Sequence, residues 1–371
     1  MQARIETRRF AEAVAIVQRV ADTKSVMQVL GNIHIRAVGH KLVLRATDLV
    51  VEQSVVLELE SAPKGADIMV GSKQLHAAVQ TLGSGIVELD DNKDDLVLRT
   101  ASTEFRLLSG MADDYPTAKS CPEMLEPIDK DALLSVIKQA LVSVSTQPTR
   151  PFLCGAKVIA DGTRFQATSV DGHRLTRASA ACGLKLSGSP IIPTRGLCEL
   201  QRMCAAAADS DIAMALDDEW LYATSDGEMP CVLAIRCVQG EPPDVDSLIR
   251  SGHKSTMVAE RDEWMSALRR MKVVSDEHDT GVDVELSKGR IVRFSCESPM
   301  LGVARDQITL TAETKPARFR ANINYMIDAL KSLPSGHVAI GVESPEQGIQ
   351  IEPLEQADGM SSVHSIWPQR R

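Results

Sequence analysis

Aromatic residues are scarce: three Trp, three Tyr and six Phe make up 3% of the 371 residues. Trp220, Trp264 and Trp367 are dispersed along the chain, which argues against a stacking platform for single-stranded nucleic acid. No apolar run approaches the roughly 18 residues that a membrane span needs. The opening Met1-Gln2-Ala3-Arg4-Ile5-Glu6 has no apolar core of a secretory signal, so a cytoplasmic protein with no membrane partner is expected. A basic excess is also missing, since 41 Lys plus Arg face 50 Asp plus Glu for a net charge of −9. Binding of nucleic acid by bulk positive charge is therefore excluded, and any DNA role must work through local patches or topology. The eight cysteines (Cys121, Cys154, Cys182, Cys198, Cys204, Cys231, Cys237, Cys296) form no C-x-x-C pair and no zinc-type spacing. Buried free thiols in a reducing compartment are the expectation. Gly83-Ser84-Gly85 follows a helical pattern rather than a strand, and no Gly-rich loop ends in Lys-Ser/Thr. Nucleotide chemistry is unsupported, and no cofactor is expected.

What is present is a chain 44% hydrophobic and 25% charged, able to bury a sizeable core in two or three domains. Its most informative property is self-similarity at a period of roughly 120 to 130 residues, the scale of whole domains. Residues 7–21, 131–145 and 261–274 each place apolar side chains at helical spacing; in the second, Leu133, Leu134, Ile137, Ala140, Leu141 and Val144 form one stripe. After each comes a β-rich run with a turn in its middle: Ile33 to Val56, Leu153 to Ala178 and Val282 to Ile308. A second, shorter helix recurs at 72–82, 194–208 and 323–332, where Leu75, Leu197 and Met326 hold equivalent places, and further strands follow. Each third is thus an α+β unit of two similar halves. Pro-containing stretches Tyr115 to Pro127 and Gly240 to Gly252 mark the joints, giving expected domains 1–123, 124–249 and 250–371. Such units, set edge to edge, can continue one sheet with the helices on one side.

The six helical windows hold twelve Lys or Arg and six Asp or Glu, although widening each window by two residues at both ends removes the contrast. Were these helices to line a common hole, Arg8, Arg9, Arg19, Lys73, Lys138, Arg195, Arg202, Arg269, Arg270 and Lys331 could face it and touch phosphates without reading bases. The alternative is an ordinary solvated helix face. Two further groups have the side chains of chemical sites. Asp276-Glu277-His278-Asp279 could ligate a divalent metal, but it is contiguous and followed by Gly281, as in a solvated turn. His173 near Asp171 could act as a base with its orienting carboxylate, yet no nucleophile can be assigned beside it.

With three repeats, six helices and the peptides Leu30-Gly31-Asn32, Ala46-Thr47-Asp48-Leu49 and Asp171-Gly172-His173-Arg174-Leu175 in register, the chain resembles the bacterial DNA polymerase III β subunit, the sliding-clamp family, over its whole length. The resemblance implies three clamp domains with outer sheets and inner helices, and a head-to-tail homodimer closing a ring around double-stranded DNA without sequence preference. It implies a non-catalytic processivity factor whose partners are the polymerase III catalytic subunit, the clamp loader and other clamp-motif proteins. DNA-contacting positions carried over are Lys24, Lys73, Gln147, Arg150, Phe152 and Arg195. Pro151-Phe152 stands where an aromatic pair is usual.

A pocket for short linear motifs of partner proteins maps to Leu153, Gly172, His173, Arg174, Leu175, Pro243, Ile366, Trp367, Pro368 and Arg370, an apolar cleft with a few polar groups. Here the chain departs from the family: a residue is added before Asp171, Pro242-Pro243-Asp244-Val245-Asp246 lacks an aromatic, and Trp367-Pro368-Gln369-Arg370-Arg371 is bulkier and more basic. These departures imply altered partner affinity, and they leave open a clamp-derived paralogue serving as a specialised or drug-tolerant substitute. Ring closure is expected to pair edge strands of the first and third domains, with Phe105 and Leu107 facing Val273 and Val274. The last two could instead simply end the fifth helical stripe.

Overall fold

The computed structural model describes residues 2–59, 65–92, 94–124, 126–207, 211–276, 279–287, 289–334 and 336–369. The first repeat runs β1 (Gln2–Glu6), α1 (Thr7–Gln18), β2 (Asn32–Val38), β3 (Lys41–Thr47), β4 (Val51–Glu58), β5 (Ala66–Gly71), α2 (Ser72–Thr81), β6 (Ile86–Asn92), β7 (Asp95–Arg99) and β8 (Glu104–Met111). The second has α3 (Lys130–Ala140), β9 (Gly155–Ala160), β10 (Arg164–Val170), β11 (Arg174–Ala181), β12 (Ile191–Pro193), α4 (Thr194–Ala206), β13 (Ile212–Leu216), β14 (Trp220–Ser225) and β15 (Cys231–Arg236). The third has β16 (Ser255–Glu260), α5 (Arg261–Lys272), β17 (Gly281–Leu286), β18 (Ile291–Ser298), β19 (Gly302–Thr309), β20 (Ala317–Asn322), α6 (Ile323–Ser332), β21 (His337–Val342), β22 (Ile349–Pro353) and β23 (Met360–Ile366).

Each half-repeat is a strand, a helix and three antiparallel strands; in the second repeat the opening strand is reduced to the bridge Ile128↔Ile212. The helices lie where the apolar spacing put them, although α1 stops at Gln18 and α3 passes at Leu141 into a 3-10 turn. The β-rich runs each contain two turns rather than one. Val51 opens a strand of its own, as do Arg174 and Gly302.

The chain condenses into two compact units, 1–130 with 198–237, and 131–197 with 238–371. In the first, eleven strands form one sheet in the order β1-β6-β7-β8-β5-β2-β3-β4-β15-β14-β13. The first and second repeats are therefore joined by backbone hydrogen bonding, β4 to β15, in the register Val55↔Cys231 to Val51↔Ile235. Helices α1 and α2 pack together, with Phe10, Ala13, Val14 and Val17 of α1 buried.

In the second unit, eight strands run β12-β9-β10-β11-β23-β22-β21-β16 and four run β19-β18-β17-β20. The joint follows the same rule: β11 pairs with β23, from Arg174↔Ile366 to Ala180↔Met360. Its largest buried side chain, Trp264 of α5, meets Phe294 of β18 edge to face at 5.4 Å, a favoured aromatic geometry.

Candidate functional site

At the β11–β23 joint of the second unit, Leu153, Val170, Leu175 and Val245 form a buried apolar cluster, with Phe152, Ile249 and Trp367 packed against it half-exposed. The sequence brings them together through three local devices. A short 3-10 turn, Pro151–Leu153, turns Leu153 inward. Between β10 and β11, Asp171 Oδ1 accepts from His173 N (2.8 Å) and Arg174 N (3.0 Å), with Gly172 at φ 94° where a side chain would be strained. The end of β23 is tied in by Trp367 N donating to His173 O at 2.9 Å. Gly240, at φ 132°, lets the following linker pass Phe152, since a Cβ there would sit 3.3 Å from the Phe152 Cβ.

Arg174 lines this site without offering a free charge. Its Nε donates to Asp171 Oδ2 (2.9 Å), its Nη1 donates to Asp328 Oδ2 (3.0 Å), and its guanidinium lies 4.3 Å above the Tyr325 ring. Burial, with the nearby Asp171 charge, raises the Tyr325 phenol above its ordinary value. Arg177 pairs with Asp246 on the linker. Beneath lies a buried chain, Ser143 Oγ to Thr176 Oγ1 (2.7 Å), Thr176 to His364 Nδ1 (2.9 Å) and His364 Nε2 to Ser332 Oγ (3.0 Å). Burial above all, then the Arg174 charge, pushes His364 down to about 3.

The expected pocket residues Leu153, Gly172, His173, Arg174, Leu175, Ile366 and Trp367 thus sit at one joint. Pro243 is exposed on the linker two residues before Val245, and Pro368 follows Trp367 half-buried. Arg370 lies outside the described residues. Val170, Val245, Ile249 and Tyr325 were missed as pocket residues, although Val245 and Ile249 fall in the stretch Gly240 to Gly252 and Tyr325 in the helical window 323–332.

Of the expected DNA contacts, Lys24 and Lys73 are exposed in the first unit, Lys73 in the first turn of α2. In the second unit, Gln147 and Arg150 are exposed in the loop before Pro151, Arg195 is half-buried in the first turn of α4, and Phe152 packs on the apolar cluster. Several helix cations are already engaged. Arg8 pairs with Glu12 at 2.9 Å, Arg202 with Glu199 at 2.5 Å and Arg270 with Asp306 at 2.6 Å, while Arg9 donates to Glu228 O at 2.6 Å. Lys73, Lys138 and Lys331 are exposed and make no ion pair among the described residues.

The groups with catalytic or metal-binding side chains are committed elsewhere. Asp171 caps its turn and holds Arg174, so its carboxylate does not orient the His173 ring. Asp276 accepts from Asp279 N (2.8 Å) and Ser298 Oγ (2.6 Å), and Asp279 binds Arg320 at 2.6 Å. Glu277 and His278 lie outside the described residues. Among those described, no three His, Cys, Asp or Glu side chains gather as a metal site. All eight thiols are free, but only Cys204, Cys231 and Cys296 are fully buried and Cys121 is exposed, a correction to the expectation of uniform burial. Burial raises Cys231 to about 11.

Among the described strands that pair along one side only, two end a half-repeat, β19 and, over part of its length, β8. In the first unit, β8 pairs with β7 through residues 104–108 and with β5 only through 109–111. In the second unit, β19 pairs with β18 alone among the described strands. Phe105 and Leu107 are half-buried, whereas Leu108 is 83% exposed on β8 and Val303 is 55% exposed on β19, two apolar side chains that sequence reasoning passed over. Val273 follows α5 at 77% exposure, while Val274 packs on the core, as the end of a helical stripe would.

Residues 1–119, 127–244 and 246–366 match, in order, the N-terminal, central and C-terminal domains described for the DNA polymerase III beta subunit. A beta sliding clamp from Synechocystis sp. is 25% identical over 97% of both chains, and one from Pseudomonas putida 22% identical over 99% of both. Among solved structures, the DNA polymerase sliding clamp of Pseudomonas aeruginosa with ligand superposes at a TM-score of 0.92 and 22% identity over 100% of both chains. That of Bacillus subtilis superposes at 0.91 and 21%, covering 100% of this chain and 99% of the other. No helix among the described residues is long and apolar enough to cross a membrane.

Proposed function

The chain belongs to the DNA polymerase III beta subunit family, and from that premise we propose that it is a sliding clamp, a non-catalytic ring that encircles duplex DNA and tethers the replicative polymerase. Its domains divide at 1–123, 124–249 and 250–371. The observation that carries the reading is the pattern of joints. Within each repeat, one strand ends the first half and another ends the second: β4 and β8, β11 and β15, β19 and β23. The β4–β15 and β11–β23 pairings use four of the six, leaving β19 and the open length of β8. A second copy completes the series head to tail, β19 to β8, and closes the ring through two such joints. Leu108 and Val303 join Phe105, Leu107 and Val273 as candidate apolar contacts there.

Encirclement needs no strong adhesion. Contacts through Lys24, Lys73, Gln147, Arg150 and Arg195 are weak, salt-sensitive and blind to sequence, which permits sliding. The cluster around Leu153, Leu175 and Trp367 takes linear motifs of the polymerase, the clamp loader and other partners. Apolar anchors supply the affinity, and the occupied Arg174 serves as a wall. Full-length similarity to proteins named sliding clamps favours this reading over a specialised substitute.

The test is topological. Loaded onto nicked circular DNA by a clamp loader, the protein stays bound through a high-salt wash and is lost when the circle is linearised. Equal loss from both forms would overturn encirclement.

A further inference from the structure

We propose that the second unit carries a binding site for a small amphiphilic anion, an apolar body bearing one carboxylate, sulfonate or phosphate group, in the cavity between α3, the end of α6 and the β22–β23 turn. The cavity measures about 480 Å³, within the range that small-molecule sites occupy. It lies at the other end of the β11–β23 joint from the motif cluster. Arg174↔Ile366 marks the cluster's end of the joint and Ala180↔Met360 the cavity's, about 20 Å apart at the rise of a strand.

Its walls come from three elements. Leu134 stands half-exposed on α3, Leu333 follows α6 at 2% exposure, and Pro353 and Met360 bracket the β22–β23 turn. These apolar side chains suit an aliphatic or aromatic body. Lys138 in the last turn of α3 and Lys331 in the last turn of α6 line the same cavity, both exposed and without an ion pair among the described residues. One carboxylate, Asp131, stands against these two ammonium groups, so an occupant with a single negative charge restores the balance. Gln139, 3% exposed, lines the cavity as well. Its Nε2 donates to Ser135 Oγ at 3.4 Å, while its Oε1 has no hydrogen-bond partner among the described residues. Turning this amide toward an N–H or O–H on the occupant satisfies a buried acceptor.

A crevice at this place is a product of the fold, but its chemistry is not. The β4–β15 joint of the first unit has a counterpart of about 310 Å³ between α1 and the 199–207 stretch of α4. There two guanidinium groups, Arg19 and Arg202, face four carboxylates, Glu12, Glu199, Asp226 and Glu228, and Arg202 is paired with Glu199. The acidic excess of that crevice repels an anion. Only in the second unit does the same architecture combine more room with a cationic excess.

The probe is anilinonaphthalene sulfonate, which carries a sulfonate, aromatic rings and an N–H, titrated by fluorescence against the full-length chain at low and high salt. One saturable site per chain is expected, weakening as salt rises. Lys138→Gln combined with Lys331→Gln weakens it about tenfold, as the loss of two exposed charge contacts would. Ala357→Trp, which adds an indole to the cavity wall, abolishes it. All three side chains are exposed, so the melting temperature of both variants holds. Binding left unchanged by either variant overturns the proposal, as does the absence of any saturable binding. Binding lost instead in Trp367→Ala assigns the probe to the motif cluster and also overturns it, leaving the linear-motif reading intact.

Discussion

Arg45 and Glu52 lie buried on adjacent strands with Nη1 and Oε2 2.9 Å apart, and Glu52 Oε1 also accepts from Lys119 N of the linker at 3.0 Å. Removing one member of such a pair strands a buried charge. Glu52→Ala should therefore cost about 3 kcal/mol in chemical denaturation, far more than the loss of exposed Glu12 from its pair with Arg8. His364 sets an acid limit. Below the ordinary imidazole value of about 6.5 the unfolded chain takes up a proton that the folded chain refuses until about 3. Stability is therefore intact above that window and falls as pH drops through it, by at most about 1.4 kcal/mol per pH unit. Thermal melts between pH 7.5 and 5 should show this decline in the native protein and a shallower one in His364→Gln. At this scale the Asp171-to-Leu175 peptide was legible as a motif, but Asp171's work as a turn cap was not, because it depends on which N–H groups the folded turn aims at the carboxylate.

Among the elements, α6 is capped by its own side chain: Asn322 Oδ1 accepts from Asn324 N (2.9 Å) and Tyr325 N (3.3 Å). Helices α1, α2 and α5 begin straight from a strand with no side-chain cap. Asn322→Ala should thus cost about 1 kcal/mol in thermal or denaturant unfolding. Where β9 meets β12, a Cβ on Gly155 would lie 2.3 Å from the Ile192 carbonyl oxygen. That wall is backbone and cannot swing aside, so Gly155→Ala should destabilise by about 2 kcal/mol, again read by denaturation. Helix stripes were readable because 3.6-residue spacing is local. The turn after β3 was not, since Leu49 and Val50 continue the apolar pattern of a strand and Asp48 is the only mark of the break, whereas the turn after β10 carries an Asp171-Gly172 pair.

For the whole molecule, the joints predict assembly. Mass measurement in solution should give two chains at micromolar concentration. Leu108→Glu or Val303→Glu should shift the population toward single chains while leaving the circular dichroism of the fold unchanged, since both side chains are exposed in one chain. A dimer indifferent to both would place closure elsewhere than the β8 and β19 edges.

Sequence alone determined the threefold plan, the six helices and their buried faces, the acidic balance and the likeness to clamps, because each rests on composition, on spacing within one element or on short patterns that recur along the chain. Only the tertiary structure decided that β4 meets β15 and β11 meets β23, that Phe152 joins the apolar cluster, and that Leu49 is held at positive φ. Those outcomes come from groups far apart in the chain or from hydrogen bonds made after the turn has closed, and residue spacing does not encode either.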